Sequence, residues 1–182
     1  MAKRTSCLLV IDVINDLNFP GGENVEPWAR RMVPRLHAVR GRAHRQGVPV
    51  IYVNDNFGHW QDDFAGIVRH CTRTDARGRT IAQKLRPTAG DYFILKPKHS
   101  AFYATSIEPL LEHLKIDHLI LAGIATNLCV LFTAHDAHMR GYKLTALSDC
   151  CAAESDEDHN IALDQLERFC NATICTADEL KF

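Results

Sequence analysis

The chain has 182 residues, 46% of them hydrophobic and 24% charged, with a formal net charge of −1. That length supports one domain with a real apolar core, and the composition excludes disordered, collagen-like and coiled-coil chains. Near balance of charge and the lack of any apolar stretch approaching about 18 residues argue against nucleic-acid-binding and bilayer-spanning functions.

The opening Met-Ala-Lys-Arg-Thr-Ser-Cys runs straight into a five-residue apolar segment, too short for a secretory core and without a cleavage site. A cytoplasmic chain is expected. Cys7–Ile11 reads as the first strand, and a helical pattern at 28–46 follows. Its arginines 30, 31, 35, 40, 42 and 45 interleave with Trp28, Met32, Leu36, Val39 and Ala43, the pattern of an amphipathic helix with a solvated basic face. Pro34 either marks that helix's true first turn or kinks it, and Gly47 closes it. Val48–Val53 is the second strand. Residues 54–90 are polar, rich in Gly and Arg and poorly periodic apart from a helical stretch at 61–71, and read as an excursion over the edge that carries the site.

Strands at Tyr92–Leu95, His118–Ala122, Lys143–Leu147 and Ala172–Cys175 then alternate with helical stretches at 105–115, 127–140 and 157–169, Gly141 ending the second of these. Alternation of this kind predicts an α/β fold, a three-layer α/β/α sandwich around a six-stranded, mainly parallel, Rossmann-like sheet, with 1–182 as one domain.

Ligands bind outside the carboxyl ends of strands in such sheets, so residues just beyond strands come first. Asp12 follows the first strand, Lys96 the third, and the loop 123–127 leads from the fourth into a helix bearing Cys129. If Thr126 caps that helix, Cys129 lies in its first turn, where free N–H groups and the helix dipole favour a thiolate, and a nearby lysine would add to this. A carboxylate within reach could take the thiol proton and hand it to a departing amine. The seven cysteines form no C-x-x-C pair and are expected to be reduced thiols. Cys150 and Cys151 follow a strand and read as buried thiols. His135 and His138 suit packing or surface roles better than metal binding.

The segments LLVIDVINDL (8–17), KPKHSAF (96–102), LAGIATNLCV (121–130) and RGYKLTALSDCCAA (140–153) together resemble the isochorismatase-like cysteine hydrolases, which include nicotinamidases and N-carbamoylsarcosine amidohydrolases. The resemblance implies a catalytic set of Asp12, Lys96 and Cys129, a cis peptide between Ile124 and Ala125, and an oxyanion hole from the N–H groups of Ala125 and Cys129. It implies cleavage of an amide-type C–N bond of a small molecule through a thioester, in a homo-oligomer. In NDNFGHW (54–60) Phe57 stands where nicotinamidases carry a metal-binding histidine, and Asp55 with His59 alone makes a poor site. No metal and no cofactor is therefore expected, and nicotinamidase activity is disfavoured. Ile14 replaces a common glutamine, which alters one pocket contact. Asn15, Phe19, Asn54, Trp60, Phe102 and Phe132 are the expected pocket residues. Two alternatives stay open, an isochorismatase-type vinyl-ether hydrolase with Cys129 a bystander, and a degenerate relative kept for binding or assembly.

Overall fold

The computed structural model describes residues 5–182. The first four residues, on which part of the leader reading falls, lie outside it. Six strands form one all-parallel sheet: β1 Ser6–Ile11, β2 Val50–Asp55, β3 Tyr92–Lys96, β4 His118–Ile124, β5 Lys143–Ala152 and β6 Thr173–Cys175, in the order β3-β2-β1-β4-β5-β6. The helices are α1 Gly22–Arg45, α2 Phe64–Cys71, α3 Arg79–Lys84, α4 Ile107–His113, a π-helical turn Thr126–Val130 that runs into α5 Leu131–Met139, and α6 Asp156–Cys170.

Parallel strands covered on both faces need apolar side chains at every position, and β1 meets that demand with Cys-Leu-Leu-Val-Ile, each fully buried. Alternation then sorts them. Leu8 and Val10, with Val50 and Tyr52, face a layer made by α1, α2 and α3, whereas Cys7, Leu9, Ile11, Ile51 and Val53 face α4, α5 and α6. The three-layer sandwich follows directly from that double coverage.

Helix α1 begins six residues before its periodic part. Gly21 adopts a left-handed conformation, and Gly22 packs so closely on Leu17 that a Cβ would lie 2.3 Å from its carbonyl oxygen. Pro27 and Pro34 both lie inside the continuous helix, so Pro34 marks no first turn. Arg40 departs from the expected solvated face. It is buried, donating to Tyr52 Oη at 2.6 Å and Arg86 O at 2.8 Å, because the sheet side of α1 offers two acceptors its guanidinium can satisfy.

The 54–90 segment is folded rather than draped over an edge. Helices α2 and α3 bury Phe64, Ile67, Cys71, Ile81 and Ala82 in the core, and α3 escaped the sequence pattern because six residues are too few to show a period. Strand β5 runs five residues past its expected end. Cys150 and Cys151 therefore lie within the strand, where Cys151 pairs with Gly123 and Ala152 with Ile124 beyond a bulge in the β4–β5 register. At Gly123, φ is +134° and a Cβ would stand 2.0 Å from Ile11 O, so only glycine lets β4 pass β1 at this point.

Candidate active site

The sheet order reverses between β1 and β4, which opens a crevice beyond their carboxyl ends. Asp12 stands at its edge with φ of +51°, a left-handed conformation that aspartate tolerates better than most residues. Its Oδ1 accepts from the Asp55 N–H at 2.6 Å, and its Oδ2 lies 2.8 Å from Lys96 Nζ. Lys96 is fully buried, and Nζ also donates to Lys98 O at 3.0 Å and contacts Cys129 Sγ at 3.6 Å. All three ammonium protons thus have acceptors, which lets a lysine sit without water.

Cys129 is held by the turn after β4. The Ile124–Ala125 peptide is cis. Ala125 rather than Thr126 occupies the cap position, and Thr126 instead hydrogen-bonds His159 Nδ1 at 2.8 Å. An α-helical register would give the Ala125 carbonyl to the Cys129 N–H. Here it accepts from Leu128 and Val130, both at 3.1 Å, so the π register passes over the Cys129 N–H.

Proton positions follow from these contacts. Burial pushes the Asp12 carboxyl above its ordinary range, opposed by Lys96 and by hydrogen bonds from Cys129, Lys96 and Asp55. Burial alone would lower the Lys96 ammonium, but Asp12 and Cys129 outweigh it and hold the proton on more firmly. Burial, and then the Asp12 charge, push the Cys129 thiol well up, with Lys96 pulling against them. The balance runs opposite to the thiolate-favouring effect expected of helix position and lysine. Helix position and lysine do not offset burial and the adjacent Asp12, so the sulfur holds its proton more firmly than a free cysteine does.

A cavity of about 260 Å³ lies over Cys129, lined by Asp12, Asn15, Phe19, Val25, Asp55, Phe57, His99, Ile124, Ala125, Leu128 and Glu154. Residues 6–179 match the isochorismatase domain family model. The chain belongs to the isochorismatase family. The uncharacterized isochorismatase family protein YaaI of Bacillus subtilis is 42% identical over 180 residues, covering 99% of this chain and 98% of that protein. The maleamate amidohydrolase of Pseudomonas putida is 26% identical over 166 residues, 88% of this chain and 78% of its own. The N-carbamoylsarcosine amidase of Thermoplasma acidophilum has a crystal structure that superposes with a TM-score of 0.76 at 31% identity, covering 98% of this chain and 99% of that one.

Within this isochorismatase fold the expected pocket residues divide. Asn15 and Phe19 line the cavity. Asn54 does not: it is fully buried, accepting from the Ile14 N–H at 3.2 Å and donating to the Ile14 carbonyl at 2.7 Å, so it shapes the loop beyond Asp12 from beneath. Phe102 packs on Tyr142 with Arg140 over its ring, away from the cavity. Trp60 is 77% exposed beside His59 and Gln61, and Phe132 is half exposed with its ring 5.5 Å from that of His99. Of the 54–90 segment only Asp55 and Phe57 reach the cavity. Asp55 lies 3.8 Å from Lys96, while His59 pairs with Asp62, so these two do not share a site. Among the described residues no group of three His, Cys, Asp or Glu side chains could hold a metal ion.

Sequence reasoning missed His99, Glu154, Val25 and Leu128. His99 Nδ1 lies 3.9 Å from Cys129 Sγ. Its place two residues before the Ala-Phe of the lysine motif was the available signal.

Proposed function

We propose that this chain is a cysteine hydrolase that cleaves an amide-type C–N bond of a small molecule, in the cytoplasm and as a homo-oligomer. The observation that carries the proposal is the contact of a buried thiol with an ammonium that is itself paired to a carboxylate, at the floor of a cavity. The amidohydrolase names of the relatives support the same bond type. Among the described residues no helix is long and apolar enough to cross a membrane.

In this mechanism Asp12 takes the Cys129 proton as the thiolate attacks the substrate carbonyl. Substrate displaces part of the cavity's water, and Lys96 keeps the site's total charge tolerable while sulfur carries the electron pair. The tetrahedral oxyanion accepts from the N–H groups of Ala125 and Cys129, the second of which the π register frees. Asp12 returns its proton to the nitrogen, the C–N bond breaks, and ammonia or an amine departs. Water then attacks the thioester carbonyl, giving one proton to Asp12. Collapse expels the sulfur, which recovers that proton as the acid leaves.

The test is ammonia release from a panel of carboxamides and carbamoyl compounds. Cys129→Ala is expected to lose at least about a thousandfold in kcat/KM, roughly 4 kcal/mol of transition-state stabilisation. Equal activity of wild type and Cys129→Ala, or silence of both over a broad panel, would end the proposal.

A further inference from the structure

The charges that face the cavity are one-sided. Its lining contains Asp12, Asp55 and Glu154 but no arginine or lysine. Lys96 lies beneath the floor, fully buried, and its charge is committed to Asp12 at 2.8 Å. Asp55 retains only a distant share of that lysine at 3.8 Å, its other oxygen accepting from the Phe57 N–H at 2.6 Å. Glu154 has a single neutral partner, the Asn127 side-chain amide at 3.0 Å. A substrate seated over Cys129 therefore meets the Asp55 carboxylate, whose share of Lys96 is at 3.8 Å, and the Glu154 carboxylate, which pairs with the neutral Asn127 amide. Beside the polar side chains of Asn15 and His99, the walls formed by Phe19, Val25, Phe57, Ile124 and Leu128 are apolar and strengthen any charge interaction by excluding water. At about 260 Å³ the space falls below the range of roughly 300–1,000 Å³ typical of drug-sized ligands.

We infer that the substrate is a small amide or carbamoyl compound without a carboxylate, whose acyl part carries an ammonium or another N–H donor that Glu154 accepts. The inference rests on the cysteine-hydrolase reading and makes Glu154 a specificity-determining residue. A carboxylate-bearing amide would bring a like charge toward Asp55 and Glu154 with only the Asn15 and His99 side chains of the wall to offer it a hydrogen bond, whereas an N–H donor gives Glu154 a partner beyond the Asn127 amide.

Two measurements separate this inference from the reaction itself. The first needs no turnover: 2-aminoethyl and 2-sulfonatoethyl methanethiosulfonate are compared for their rates at Cys129, located by peptide mass spectrometry and normalised to a small free thiol. The cationic reagent is expected to be favoured at least tenfold after normalisation, and Glu154→Gln is expected to cut that preference at least threefold. A normalised ratio near one, or one that favours the anion, overturns the inference. So does a folded Glu154→Gln protein with an unchanged ratio. Should the variant not fold, the wild-type ratio alone decides. The second measurement compares kcat/KM for β-alaninamide, butanamide and succinamate, which differ only in the group at the far end of the chain. The expected order is ammonium, then methyl, then carboxylate, and succinamate as the best of the three overturns the inference. No turnover of any of them counts against the hydrolase reading, while the ratio of the two methanethiosulfonate rates still decides the charge preference.

Discussion

At Cys129 two neighbours pull in opposite directions, and their removal should have opposite consequences. Asp12 raises the thiol and Lys96 lowers it. Asp12→Asn leaves the lysine alone beside sulfur, so iodoacetamide should alkylate Cys129 several-fold faster at pH 7.5 even as amide turnover falls by about a thousandfold or more. Slower alkylation in that variant would contradict the assignment of proton to sulfur. In the wild type the raised thiol predicts an alkylation rate that keeps climbing above pH 9 instead of levelling near neutrality, a profile read by mass spectrometry. Lys96→Met has the further effect of leaving Asp12 buried without its counter-charge. Removing one partner of a buried pair costs about 3–5 kcal/mol, and a urea titration should show a loss of that size. A midpoint within error of wild type would mean that the pair contributes nothing net.

The turn that carries Cys129 is anchored by its neighbours rather than by its own sequence. His159 on α6 hydrogen-bonds Thr126 and the Ser148 backbone of β5, so one imidazole ties the turn to the sheet and the helix. Burial lowers its pKa from 6.5, opposed by Asp156 and the Ser148 bond. The folded protein thus binds this proton less readily than the unfolded chain does. The stabilising contribution is present above about pH 6.5 and is lost as pH falls through the lower folded value. Tm should therefore drop between pH 7.5 and 5.5, and His159→Gln should show a smaller drop, although a lower Tm at pH 7.5. An equal drop in both would assign the acid sensitivity elsewhere. Gly123 anchors the other side, since a Cβ there would meet Ile11 O of β1 at 2.0 Å. Gly123→Ala should cost about 3 kcal/mol or more, lowering Tm by roughly 6–12 °C at the 2–4 °C per kcal/mol usual for a chain of this size.

Leu128, Phe132 and Met139 follow one another at helical spacing along the π turn and α5, and are 37%, 50% and 74% exposed. The expected homo-oligomer would cover such residues. Light scattering on the eluting protein should report a dimer or larger, and Phe132→Glu should shift it toward monomer if α5 lies in the contact. The sequence alone was enough for the sheet, because strands covered on both faces cannot disguise their unbroken apolar runs, and for Asp12, Lys96 and Cys129 as candidates, because strand ends and recurring motifs mark them. The cis Ile124–Ala125 peptide was implied only by the family resemblance. The sequence could not reveal that β5 continues through Ser-Asp-Cys-Cys, a turn-like stretch made into strand only by its pairing with Gly123 and Ile124. Nor could it reveal the π register, which depends on which N–H groups the Ala125 carbonyl accepts, or the protonation of the thiol, which depends on how far burial and Asp12 outweigh Lys96. Beyond Asn15 and Phe19, the cavity wall was decided by tertiary structure: Val25, Phe57, His99, Leu128 and Glu154 come from separate segments of the chain, and only the folding of loops over the sheet's reversal brings them around one sulfur atom.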